Sequence, residues 1–240
     1  MQAARQGSPH PNHKVASCWA ACQGSSPLRE MRLMSNRISQ AERCPRCRMH
    51  EEHCLCAEIV PMETRTRLAL ILHHREVDKP TNTGRIGLLA LRNAVSFVRG
   101  TEDAPADLSS LDDPERRLLL LFPREDARVL TPELIAADPR PITLAVPDGT
   151  WAQARRCARR EEVLVRAEAV LPPDAGPTRY HLRHEHVHGG LGTGEAIARA
   201  FAVLESPEVG DAIQRLFDLQ VLRTLATRGK QLPTEFTRRR

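Results

Sequence analysis

Cys44-Pro45-Arg46-Cys47 and Cys54-Leu55-Cys56 place four thiols within thirteen residues. Paired soft ligands on tight turns gather readily around a tetrahedral ion, and zinc suits four thiolates. The first pair has the spacing of a zinc knuckle. The second, with one residue between its members, is less usual, and His50 and His53 stand nearby as substitutes for one cysteine. Free thiols or a disulfide are the alternative reading. Zinc bound by Cys44, Cys47, Cys54 and Cys56 would have no open position, so the expected ion is structural.

A second group of reactive side chains surrounds Asp148-Gly149-Thr150-Trp151. An Asp-Gly pair most often just closes a turn. Here an apolar run, Ile142–Val146, precedes it and helical sequence follows, which puts Asp148 and Thr150 at the carboxyl end of a strand. Thr150 is a natural cap for a helix starting at Trp151. His73-His74-Arg75-Glu76, with Lys79, adds a second carboxylate beyond an earlier run. Arg155, Arg156, Arg159 and Arg160 share one side of the helix after Trp151, either as a solvated face or as a strip for phosphates. Gly189-Gly190-Leu191-Gly192-Thr193-Gly194-Glu195 is the most glycine-rich stretch; its amides can approach a ligand, and Thr193 can cap the next helix. Four histidines in eight residues, 181–188, lack the cysteines and carboxylates that complete a metal site, and read as a polar loop.

The elements that must position these groups follow from hydrophobic patterning. Leu68–Leu72, Leu118–Phe122 and Ile142–Val146 are continuous apolar runs, expected for strands covered on both faces. Each is followed by polar residues and then mostly by helical sequence, which predicts a mainly parallel α/β sheet with helices on both faces. Pro147 is expected to end the third strand. A helix is expected from Thr81-Asn82-Thr83-Gly84 to about Asn93. Another begins at Trp151, with Trp151, Ala154 and Ala158 as its apolar stripe and Trp151 shielding Asp148. Residues 163–171 suggest one more strand. The last helix should span about 208–228 and bury Ile213, Leu216, Phe217, Val221 and Leu225.

Composition sets the outer bounds. At 240 residues and 41% hydrophobic, the chain can bury a full core, but with 3% aromatics that core must be aliphatic. The net charge of +5 suits a polyanionic partner without establishing one. No run reaches the roughly 20 apolar residues of a membrane span. The N-terminus lacks the apolar centre of a signal peptide, so a cytoplasmic location is expected. The expected layout is a disordered extension over 1–40, the cysteine knuckle over 41–60, a catalytic domain over 61–232 and a basic tail over 233–240.

Taken together, the motifs resemble the DTW-domain family over about 44–228. The resemblance rests on five blocks in order: the four cysteines; His73-His74-Arg75-Glu76 with Lys79 and Thr81-Asn82-Thr83; Leu121-Phe122-Pro123; Asp148-Gly149-Thr150-Trp151 with Ala154-Arg155; and Tyr180-His181-Leu182-Arg183 followed by Thr193 and Glu195. Gly192 and Gly194 depart from the family by flanking Thr193 where bulkier residues are expected. The resemblance implies a SPOUT-like fold, knotted near its carboxyl end. It also implies transfer of a 3-amino-3-carboxypropyl (acp) group from S-adenosylmethionine to N3 of a tRNA uridine. On that basis Asp148, Thr150, Trp151 and Glu76 are the candidate catalytic set. Gly190, Leu191, Gly192, Thr193, Glu195 and Pro123 are candidates for S-adenosylmethionine. Lys79, Arg155, Arg156, Arg159 and Arg183 are candidates for tRNA, and a homo-oligomer is left open.

Overall fold

Side chains alternate along the central strands between two apolar layers. Leu68, Leu70 and Leu72 enter one layer, while Ala69 and Ile71 enter the other. The structure is a computed structural model. It describes residues 43–101, 106–174, 176–180, 182 and 190–230. The N-terminal extension, the basic tail, Gly189, Arg183 and the four clustered histidines lie outside these residues.

Among the described residues, six strands form one sheet: β1 (Arg67–His73), β2 (Ala94–Arg99), β3 (Arg117–Leu121), β4 (Arg128–Val129), β5 (Ile142–Asp148) and β6 (Glu168–Leu171). Their order is β2-β1-β5-β3-β6-β4, and every pairing is parallel. The three apolar runs are thus neighbours at the centre, where both faces must be covered. The helices are α1 (Arg85–Ala90), α2 (Pro132–Ala136), α3 (Trp151–Arg160), α4 (Glu162–Arg166), α5 (Thr193–Leu204) and α6 (Pro207–Thr227). The first layer is closed by α1, α2, α5 and α6, the second by α3 and α4. All five residues expected to be buried on the last helix are buried.

Several boundaries differ from the sequence reading. β5 runs through Pro147 to Asp148. Its pairing with β3 stops at Ala145, so Pro147 lies in a stretch held only by β1. Proline is tolerated where a strand has lost a neighbour. The first helix stops at Ala90 because Leu91 is extended (φ −113°, ψ 128°). The chain then forms β2, whose half-exposed edge position gave no continuous apolar run. Residues 163–171 divide into the end of α4 and the short β6. Arg117, buried at the start of β3, reaches Glu168 of β6 at 2.6 Å and the Leu134 carbonyl at 2.8 Å. Buried guanidinium requires such partners, and nothing in the local pattern announced them. The path between Tyr180 and Gly190, on which a knot depends, falls mostly outside the described residues.

The α5–α6 pair is closely packed at Gly210. A Cβ there would stand 2.4 Å from Ala202 Cβ and 2.7 Å from its Cα. The gain in helix propensity from Gly210→Ala is about 1 kcal/mol, and overpacking against backbone costs about 1–3 kcal/mol. A net loss of stability is therefore expected, read as a lower urea midpoint; a raised midpoint would contradict this packing.

Candidate active site

β1 and β5 are adjacent, with Leu72 opposite Asp148. The chain leaves β1 for α1 in the first layer and leaves β5 for α3 in the second. Connections that diverge to opposite faces open a crevice at the carboxyl ends of the strands, the usual ligand position in such sheets. A cavity of about 1160 Å³ lies there. Segments following β1, β3, β5 and β6 line it, together with Leu191, Gly192 and Thr193.

Asp148 is buried in its wall. Thr193 Oγ1 donates to Asp148 Oδ1 at 2.7 Å, and Asn82 Nδ2 donates to Oδ2. Asn82 Oδ1 in turn accepts from the backbone N–H of Arg85 at 3.0 Å, at the first turn of α1. The Gly194 amide donates to Thr83 Oγ1 at 3.0 Å. Gln220 of α6 braces the same turn, donating to the carbonyls of Pro80 (2.7 Å) and Asn82 (3.2 Å). Two glycines permit this closeness: a Cβ at Gly84 would meet Asp148 Oδ2 at 2.9 Å, and one at Gly194 would meet the Thr83 carbonyl at 2.6 Å. The departure at position 194 thus has a steric reason. The helix cap expected of Thr193 is instead Gly192, because the Thr193 hydroxyl is directed to Asp148.

The remaining candidates occupy varied positions. Thr150 caps α3 in a reciprocal arrangement with Gln153: Gln153 N–H donates to Thr150 Oγ1 at 3.3 Å, and Thr150 N–H to Gln153 Oε1 at 2.8 Å. Trp151 borders the cavity and packs in the second layer, its ring 6.3 Å from Phe122. Glu76 is buried, lines the cavity and pairs with Lys79 at 2.6 Å. Lys79 is thus tied to a carboxylate. Pro123 is exposed on the rim, and Gly190 is buried but not part of the lining.

Glu195, an expected cofactor contact, does not line the cavity. It is fully buried and accepts from Thr178 Oγ1 (2.7 Å), Arg179 N–H (3.1 Å) and Arg199 Nη2 (2.9 Å). It ties the segment after β6 to α5. Arg155, Arg156 and Arg159 are exposed on α3, and only Arg156 faces a concave surface. Asn82 and Gln220 were missed by sequence reasoning. Asn82 stood inside a quoted motif but read only as a helix opener. Gln220 carried no local signal, because its partners are about 140 residues away.

The four cysteine Sγ atoms all lie within 4.8 Å of one another. Cys44 and Cys56 are 3.5 Å apart, and Cys47 and Cys54 3.7 Å. Tetrahedral coordination with bonds of about 2.3 Å gives sulfur separations of about 3.8 Å, so the group can hold a metal ion. The amides of Leu55 and Cys56 donate to Cys47 Sγ and Cys54 Sγ, each at 3.5 Å, which favours thiolates. Against the effect of burial, the Cys47 and Arg46 amides hold the Cys44 thiol down to about 7. Burial pushes the Cys54 thiol up to about 11. Burial and the neighbouring Cys47 raise Cys56 further. His50 and His53 are not part of the group. The cysteine segment packs on α6, where Arg223 binds the Cys54 carbonyl and pairs with Glu58 at 2.9 Å.

Residues 41–225, from the cysteines through most of α6, match the DTW domain family. The chain belongs to this family. Relatives named tRNA-uridine aminocarboxypropyltransferase 2 occur in Drosophila melanogaster, 28% identical over 186 residues (74% of this chain, 72% of the relative), and Macaca fascicularis, 25% identical over 207 residues (84% and 68%). A third, from Mus musculus, is 26% identical over 179 residues, covering 70% of this chain and 59% of its own length. No solved structure matches the chain. In this DTW domain the three signature residues divide the work: Asp148 ends β5 inside the cavity wall, Thr150 caps α3, and Trp151 joins cavity to core.

Because Glu195 supports the segment after β6, Glu195→Ala should leave Arg199 as an uncompensated buried charge. The expected cost is about 3–5 kcal/mol, read by urea denaturation. A loss below 1 kcal/mol would show that this strut is dispensable.

Proposed function

We propose that this chain transfers the 3-amino-3-carboxypropyl group of S-adenosylmethionine to N3 of a uridine in tRNA. Its support is the convergence of the loops after β1 and β5, with the start of α5, on Asp148 in a DTW domain whose named relatives are tRNA-uridine aminocarboxypropyltransferases. The cavity fits a cationic sulfonium: Asp148 and Glu76 are carboxylates among apolar walls from Leu121, Phe122 and Trp151, where charge attraction is stronger than in water.

In the reaction N3 attacks the methionine Cγ, the Cγ–S bond breaks with its electron pair kept by sulfur, and methylthioadenosine is released as the N3 proton leaves. Asp148 is the candidate to accept or orient that proton. Asn82 and Thr193, its donors among the described residues, fix the carboxylate before substrate arrives, so geometry is set in advance. Glu76, poised by Lys79, is the second carboxylate. Trp151 and Phe122 offer an aromatic wall for a base. Leu191, Gly192 and Pro123 bound the space for the nucleoside. Arg183 is retained as an RNA contact. The tetrathiolate group would hold zinc as a structural brace, having no vacant position for catalysis. A cytoplasmic location accords with a tRNA substrate, and no helix among the described residues is long and apolar enough to cross a membrane.

Incubation with unmodified tRNA and S-adenosylmethionine, followed by mass spectrometry, should yield an acp-uridine and methylthioadenosine. S-adenosylhomocysteine with a methylated nucleoside would make the enzyme a methyltransferase. RNA binding without any product would leave a binding module. Asp148→Ala should lower the rate at least 100-fold, and a near-normal rate would remove Asp148 from the mechanism. Metal analysis should find zinc stoichiometric with the chain, lost in Cys47→Ser together with a fall in melting temperature; metal-free protein of unchanged stability would overturn the brace.

A further inference from the structure

A second concavity, about 760 Å³, lies beside the Asp148 cavity, and Ala152 on the first turn of α3 borders both. Its walls come from three elements. His73 ends β1 and His74 and Arg75 follow it, Arg99 ends β2 and Gly100 follows it, and Gln153, Arg156 and Arg160 project from α3. Among the described residues, the lining carries four arginines, two histidines and no carboxylate. A row of arginines on one helix is ordinarily just a solvated face. This cleft differs because the guanidinium groups come from separate segments and meet across a concave surface.

The cleft is also locally constructed. Gly100 has φ +83°, a conformation that favours glycine. A Cβ there would lie 3.0 Å from His73 Nε2, so the end of β2 fits against the imidazole ring. His73 Nδ1 accepts from the Arg75 amide at 3.3 Å, which fixes the turn after β1. Arg99 is held at 2.5 Å by Glu161 and forms a fixed wall. By contrast, the side chains of Arg75, Arg156 and Arg160 make no ion pair among the described residues. Burial, together with the positive charge of Arg75 and Arg99 and against the opposing charge of Glu76, holds the His73 imidazole below its ordinary pKa. Three guanidinium groups that have no ion pair among the described residues repel one another in one cleft, a cost that an anion would relieve. Arg155 and Arg159, on the same helix, lie outside the cleft.

We propose that this cleft, through Arg75, Arg156 and Arg160, binds backbone phosphate of the RNA strand that delivers its base to the Asp148 cavity. The inference rests on the RNA-modifying reading of that cavity. It assigns the strand a path across the first turn of α3, between β2 and the catalytic crevice. Phosphate contacts position a nucleic acid without reading its sequence. The cleft therefore sets register while the larger cavity receives the base.

The test is direct RNA binding, without S-adenosylmethionine or turnover, for wild type, Arg75→Ala, and Arg156→Ala with Arg160→Ala. Titrations of unmodified tRNA over a range of salt should show about tenfold weaker binding for the double variant at moderate salt. The slope of log affinity against log salt should shrink by about one per phosphate contact removed. Arg92→Ala, at the opposite end of β2 from the cleft and paired with Glu63, should bind as wild type. Equal effects from Arg92→Ala and the cleft variants would mean only general charge attraction and would overturn the proposal. An unchanged salt slope in both cleft variants would overturn it as well. Loss of the acp-transfer reading would appear separately, as a wrong product or none, with these binding differences intact.

Discussion

A carboxylate withdrawn from water is costly unless donors surround it, and at Asp148 those donors join remote parts of the chain. Asn82 comes from the turn after β1 and Thr193 from the start of α5. Both can reach because β1 and β5 are adjacent and their connections depart to opposite layers. Gly84 and Gly194 let the backbones approach within the same space. Removing the carboxylate would leave buried Asn82 and half-buried Thr193 without this acceptor, so this contact organises the crevice as well as serving any chemistry in it.

One helix relates the two sites. On α6, Gln220 braces the turn that carries Asn82, and Arg223 and Thr224, about one turn later, face the cysteine segment. Met49 and Leu55 are buried within that segment, and Leu219 packs against it. Ordering the four thiols around a metal would therefore stiffen the back of the helix whose front steadies the Asp148 neighbourhood. The cysteine group and the Asp148 crevice are in this way parts of one packing arrangement.

Charge is distributed unevenly around the crevice. Glu76, Asp148 and Asp174 line the Asp148 cavity with Arg199, whereas arginines crowd the adjoining cleft. Such a separation suits a reaction between a cationic donor and a polyanionic acceptor, since each meets opposite charge in its own compartment. Lys79, expected to meet phosphate, belongs to the first compartment through its pair with Glu76. Arg75, absent from the RNA candidates, belongs to the second.

What was legible from sequence were properties set by near neighbours. Continuous apolar runs identified β1, β3 and β5, because a strand covered on both faces has no polar positions to spare. The pattern of two cysteine pairs identified the four-cysteine cluster, and Thr150 was legible as the cap of α3. Tertiary structure alone decided the order β1-β5-β3, the edge strand β2, the strut formed by Glu195 and the partners of Asp148. These depend on contacts between residues tens to more than a hundred positions apart, whose side-chain types are individually ordinary. Local pattern records which face a residue turns toward the core, but only the assembled sheet determines what that residue meets there.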